Sequence, residues 1–132
     1  MATTRTATVL DASALLALSS DEPGAQAVLH ALDGHCLISA VNQTEVLTNL
    51  LDKGLTDAEA ASVMQSLEIE VLAFDAGQSL EAGWLLRETR TVGLSLVDRA
   101  CLALARSRTA VALTAGLPWT QVADAVAVRC IC

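Results

Sequence analysis

Short runs of Val, Ile, Thr and Leu alternate along this chain with longer segments of helical periodicity, and that alternation limits the fold more than any other feature. The sheet-forming runs fall at residues 6–11, 36–39, 70–74, 110–114 and 127–130. Apolar residues recur at helical spacing over 13–19, 23–32, 41–53, 57–67, 76–90, 96–107 and a short 118–125. A helix between two strands makes the connection a crossover, so the strands run parallel, and a parallel sheet is covered by helices on both faces. The sequence therefore predicts a three-layer α/β chain, with a central parallel five-stranded sheet flanked by helices on both faces.

Cap and turn residues agree with these borders. Thr56-Asp57-Ala58-Glu59 reads as a capping box, and Asp75-Ala76-Gly77-Gln78 as a close relative. Pro23 suits a first helical position, Gly34 and Gly54 suit helix ends, and Gly93 suits the turn before Leu94. The helical stretches 41–53 and 57–67 are broken only by Gly54-Leu55-Thr56, which predicts an αα-hairpin able to project as a clip around a partner. There is no internal repeat, low-complexity tract or linker, and 132 residues are the length of one ordinary domain, taken here as 1–132.

Apolar residues make up 53% of the chain, yet Phe74, Trp84 and Trp119 are the only aromatics. The expected core is aliphatic and rich in Ala, and the apolar surplus predicts a homodimer or a bound partner. No apolar run approaches the ~20 residues of a membrane span and the N-terminus lacks a signal-peptide core, so a soluble, cytoplasmic protein is expected. Cys36, Cys101, Cys130 and Cys132 show no metal-ligand spacing and read as small hydrophobes, the last two exposed. Sequence motifs for dinucleotides, nucleoside triphosphates, serine hydrolysis and zinc proteolysis are absent. His30 and His35 flank a helix end and read as surface groups.

The chemistry resides in three acids. Asp11, Glu45 and Asp98 each stand where a sheet-like run gives way to a helical pattern. In an α/β sheet the carboxyl ends of the strands line a common crevice, so acids far apart in sequence can converge there. Converged carboxylates repel unless a cation lies between them, and hard oxygen ligands suit Mg²⁺ or Mn²⁺. The implied chemistry is metal-assisted phosphodiester cleavage. Each acid also has a structural reading: Asp11 as an N-cap, Glu45 as the third residue of a helix capped at Asn42, and Asp98 as the partner of Ser95 in a capping box. Ser13 is placed to orient an Asp11 oxygen. Asp75 and Asp124 are the other acids considered, the first in a capping context and the second in the final helix.

A net charge of −7 excludes a protein that coats nucleic acid generally, because neutralising phosphates needs Lys and Arg. Five of the eight basic residues, Arg87, Arg90, Arg99, Arg106 and Arg108, nevertheless cluster around Asp98 in sequence. They suggest a local positive rim for a single-stranded or looped RNA, against the plainer reading of solvated helix faces. A phosphoacceptor receiver domain is disfavoured because the only Lys is Lys53, far from a last strand.

The chain resembles the PIN domain, and as a whole looks like a VapC-type toxin ribonuclease of bacterial toxin–antitoxin pairs. The resemblance rests on Val9-Leu10-Asp11-Ala12-Ser13-Ala14-Leu15-Leu16-Ala17-Leu18, on Glu45, on Leu94-Ser95-Leu96-Val97-Asp98 leading into Ala100-Cys101-Leu102-Ala103-Leu104-Ala105, and on Ala112-Leu113-Thr114-Ala115. It implies an endoribonuclease in which Asp11, Glu45 and Asp98 hold Mg²⁺ or Mn²⁺. Thr114 would support the site, Arg99 would contact an RNA phosphate, and a VapB-like antitoxin would bind a homodimer. The family pattern has a fourth Asp directly after Leu-Thr-Ala, and this chain has Gly116 there. That departure implies either a weakened site or an impaired domain that binds antitoxin or RNA.

Overall fold

The computed structural model describes residues 7–19, 24–122 and 126–131. In chain order the elements are β1 (Thr8–Leu10), α1 (Ala12–Ser19), α2 (Ala25–Leu32), β2 (Cys36–Ser39), α3 (Ala40–Asp52), α4 (Asp57–Ser66) and β3 (Glu70–Leu72). There follow α5 (Ala76–Trp84), α6 (Leu86–Thr89), a 3-10 turn (Arg90–Val92), α7 (Leu96–Ser107), β4 (Val111–Thr114), a second 3-10 segment (Leu117–Val122) and β5 (Val128–Cys130). The strands form one parallel sheet in the order β3-β2-β1-β4-β5, so β1 is central. This is the three-layer α/β arrangement that the alternation of patterns predicts.

Successive residues of a strand point to opposite faces, and both faces are covered. Val9, Leu37 and Ala112 pack with Leu85, Leu102 and Trp119 on one side. Leu10, Ile38 and Leu113 pack with Leu15, Val28 and Val46 on the other. Helix α7 is buried without interruption from Ala100 to Ala105, a run dominated by the small side chains that let it lie close to the sheet. Leu10 is in register with Leu113. The chain therefore leaves β1 and β4 side by side, which brings Asp11 next to Thr114.

Three expectations need revision. Residues 76–90 form no single helix: the path breaks at the fully buried Leu85 and ends in the 3-10 turn, and α5 carries Gly77 and Gly83, which weaken a helix interior. The final helical segment is 3-10 over Leu117–Val122, while Pro23 and Asp124 lie outside the described residues. Helix α4 folds back on α3 as an αα-hairpin does, with Ala60 and Met64 buried in the same cluster as Val46 and Leu50. Cys36 and Cys101 are free and buried, as small hydrophobes should be, but Cys130 is disulfide-bonded. Among the described residues no helix is long and apolar enough to cross a membrane.

Candidate active site

Asp11 leaves the central strand into a nearly closed interior and is 4% exposed. A buried carboxylate needs donors, and local geometry supplies them. Ser13 Oγ donates to the carboxylate, 2.8 Å from either oxygen, and Ala14 N–H donates to Oδ1 at 2.8 Å. Thr114 Oγ1, at the end of β4, donates to Oδ2 at 2.6 Å. Ala115 N–H in turn donates to Ser13 Oγ at 3.0 Å, and Gly116 N–H to Thr114 Oγ1 at 2.9 Å. Asp11 therefore caps α1, as its structural reading has it, and is also fixed from α1 and β4 at once. Burial nevertheless dominates and raises its pKa above the ordinary carboxylate value, with a further push from the charge of Asp98.

Glu45 does not cap. Helix α3 starts at Ala40, with the Ser39 hydroxyl accepting from Val41 N–H, so Glu45 lies in the second turn and its capping reading falls away. Its side chain makes no hydrogen bond among the described residues, and its pKa is raised by burial first and then by the charges of Asp98 and Asp11. Asn42, the expected cap, is instead buried and donates to the Val97 carbonyl at 3.2 Å, tying α3 to the first turn of α7. Asp98 does cap: its Oδ2 accepts from Ser95 N–H at 2.9 Å while its own N–H donates to Ser95 Oγ at 3.1 Å.

The three acids line one open cavity of about 300 Å³, together with Ser13, Gly116 and Trp119. Val92, Gly93 and Leu94 form part of its wall, and Gly93 takes a left-handed φ of 71° to turn the chain there. Among the described residues no Lys, Arg or His lines the cavity, and the charge of Asp98 raises the proton affinity of Asp11 and Glu45 there. This donor set fits a hard divalent ion in its chemistry. Its spacing is looser, since among the described residues no three acids, His or Cys are grouped closely enough to hold an ion as they stand.

Gly116 lines the cavity, with Trp119 packed against it. A Cβ on Gly116 would lie 3.0 Å from Trp119 Cδ1, 3.2 Å from Trp119 Nε1 and 3.3 Å from Thr114 Oγ1. Its φ is outside the left-handed range, so the backbone admits a side chain and the indole is what crowds it. Trp119 was legible only as a rare aromatic three residues beyond Gly116. The remaining cations contribute little here. Arg99 Nη1 donates to the Ala82 carbonyl at 3.0 Å, docking α7 to α5, and Arg99 is not on the cavity wall. Arg106 pairs with Glu81 and Glu88 at the far end of α7. Asp75 caps α5 through Gln78 N–H at 2.9 Å, and His35 bonds Glu70 at the surface.

Comparison with solved structures returns the same fold. A DNA-bound VapBC complex from Salmonella typhimurium superposes with a TM-score of 0.74 at 16% identity, covering 97% of this chain and 100% of that one. A toxin–antitoxin complex from Klebsiella pneumoniae gives 0.75 at 18% identity over 95% of this chain and 98% of that one. VapC20 of Mycobacterium tuberculosis, a toxin that cleaves the sarcin–ricin loop, gives 0.64 at 20% identity over 80% and 86%. No curated protein sequence matches the chain. The sequence profile of the PIN domain matches residues 8–125, which takes in all three acids of the cavity, and the chain belongs to the PIN domain family.

Proposed function

We propose that this chain is a divalent-metal-dependent endoribonuclease, a hydrolase acting on RNA, and the toxin of a VapBC-type toxin–antitoxin pair. The observation that carries the reading is the cavity: three carboxylates from three separate elements share it, the charge of Asp98 raises the proton affinity of both Asp11 and Glu45, and among the described residues no basic side chain on its wall balances them. Charge left unpaired at a common point is the arrangement of a cation site. Mg²⁺ or Mn²⁺ bound there would supply positive charge to polarise an RNA phosphate and to activate water.

The chain's own residues do the positioning. Thr114 and Ser13 hold both oxygens of Asp11, so this carboxylate faces the cavity in one orientation. Asp98 keeps one oxygen on the helix terminus and leaves Oδ1 for a ligand. Glu45, with no donor to its side chain among the described residues, is free to move inward and close the gap that separates the acids. Exposed apolar side chains suit a homodimer and a VapB-like antitoxin: Leu29, Leu51 and Val63 lie on α2 to α4, and Leu80, Trp84 and Leu96 on α5 and α7. The likeness to antitoxin-bound complexes supports that partner.

The test is cleavage of RNA by the purified chain with Mg²⁺ or Mn²⁺ and with chelator. Cleavage that needs the ion supports the reading, and cleavage that persists in chelator sinks it. Gly116 favours a second reading, an impaired domain retained for binding antitoxin or RNA. Gly116→Asp separates the two: an inactive parent that gains Mn²⁺ affinity and cleavage on substitution is the impaired domain, whereas the nuclease reading expects an active parent and little gain, because the new side chain must displace Trp119.

A further inference from the structure

Among the described residues, the cavity wall carries one side-chain hydrogen-bond donor without a partner. With its acids ionised, only Ser13 and Trp119 among the lining residues carry a side-chain donor. Ser13 spends its proton on Asp11. The Trp119 indole N–H makes no hydrogen bond among the described residues, and the residue as a whole is 3% exposed. Its five-membered ring edge faces Gly116, with Nε1 3.2 Å from where a Cβ would stand. Gly116 and Trp119 both line the cavity, so the ring edge that faces Gly116 lies beside the corner this glycine leaves open.

A ligand that fits this edge must offer an acceptor. A phosphodiester offers nothing else: its non-bridging oxygens accept, and three carboxylates around them repel. A neutral donor on the wall lowers that repulsion without competing for the cation, since an indole N–H cannot ligate a metal. A side chain at Gly116 would push the indole edge aside, so the absence of a Cβ there keeps the donor on the cavity wall. Resting on the nuclease reading above, we propose that Trp119 is a substrate-binding residue of this site, its indole N–H donating to a non-bridging oxygen of the RNA phosphate in the corner that Gly116 leaves without a carboxylate.

Trp119→Phe in the full chain tests this, because it keeps an aromatic ring and removes the N–H. RNA affinity is read by anisotropy of a fluorescein-labelled, randomised 2′-O-methyl oligoribonucleotide in Ca²⁺ buffer, with the probe's integrity checked on a gel, and Mn²⁺ affinity by electron paramagnetic resonance without RNA. The expected result is RNA binding weakened about tenfold with Mn²⁺ affinity changed less than about twofold, the size of one hydrogen bond to a charged acceptor. Unchanged RNA binding overturns the proposal, and so does an equal loss of Mn²⁺ affinity, which would make Trp119 a packing residue. Should Trp119→Phe fail to fold, Trp84→Phe leaves Trp119 as the only emitter. Its fluorescence must then change on RNA addition, and an unaltered emission at saturating RNA refutes the contact. A parent chain that binds no RNA removes the nuclease reading itself, an outcome distinct from a parent that binds and a variant that binds equally.

Discussion

The two ends of α7 are built on opposite rules. At its C-terminal end Arg106 bonds Glu81 at 3.0 Å and Glu88 at 3.5 Å, so each charge has a partner of opposite sign. At its N-terminal end Asp98 joins Asp11 and Glu45 around a cavity with no basic side chain. Charges that serve only the fold are paired or solvated, because an uncompensated charge costs stability. Three acids gathered without a counter-ion cost the apo fold free energy and gain nothing for packing. The contrast within one helix, whose ends are about 18 Å apart, separates the part of the molecule shaped for folding from the part shaped for a ligand.

The largest effect should follow from neutralising an acid at the N-terminal end. Asp11→Asn, Glu45→Gln and Asp98→Asn should each lower metal-dependent RNA cleavage on the order of 10²–10³-fold, as removal of a group that stabilises transition-state charge does. Single-turnover cleavage at saturating Mn²⁺ measures it. Activity surviving in all three variants would mean that the acids are crowded for some other reason.

Thr114→Val should come next. The hydroxyl holds Asp11 Oδ2 at 2.6 Å and accepts from Gly116 N–H, so its loss frees the carboxylate to rotate and leaves a buried donor unsatisfied. Loss of an outer partner of this kind typically lowers metal affinity or activity about 10- to 100-fold. Mn²⁺ affinity and cleavage should fall together. A variant with normal metal affinity would demote Thr114 from positioning the site to filling the core.

Much of this was legible in the chain. The alternation of patterns gave five parallel strands, since crossover connections leave few other arrangements, and the strand ends carried Asp11 and Thr114 to one edge. What could not be read was geometry set by tertiary contact. Asn42 and Ser39 are equally good caps by residue type, and only the β2–α3 junction decides for Ser39, which moves Glu45 from the first turn to the second. The break at Leu85 answers to burial in the core and not to local pattern. Trp119 approaches Gly116 through a 3-10 segment that has no sequence periodicity to announce it, so the unused donor escaped a reading built on acids.

A smaller effect lies in the pH dependence of stability in chelator. The pKa values of Asp11 and Glu45 are raised above 3.8 and 4.5, respectively, so the folded chain binds more protons than the unfolded one between those values and the raised ones. Stability of the metal-free chain should therefore fall as pH rises through that window and grow as pH drops back through it, the reverse of a protein held by carboxylate ion pairs. Asp98→Asn, which keeps an oxygen for Ser95 N–H, should flatten the trend and raise the metal-free melting temperature by roughly 2–4 °C. Thermal melts across that range, repeated with saturating Mn²⁺, would show the slope vanish if the acids are relieved by the ion.

The smallest effect belongs to the other end of α7. Arg106 and its partners are partly solvated, with side-chain exposures of 33% for Arg106, 39% for Glu81 and 48% for Glu88. Ion pairs of this kind contribute about 0.2–1 kcal/mol and are screened by salt. Arg106→Gln should lower the melting temperature slightly at low ionic strength, by less than the neutralisation of Asp98 raises it, and should leave cleavage unchanged because the substitution lies a helix length from the cavity. Raising the salt should erase the difference between variant and parent. A loss of activity in Arg106→Gln would break the comparison between the two ends, since it would require the basic end of α7 to reach the same RNA that the acidic end cuts.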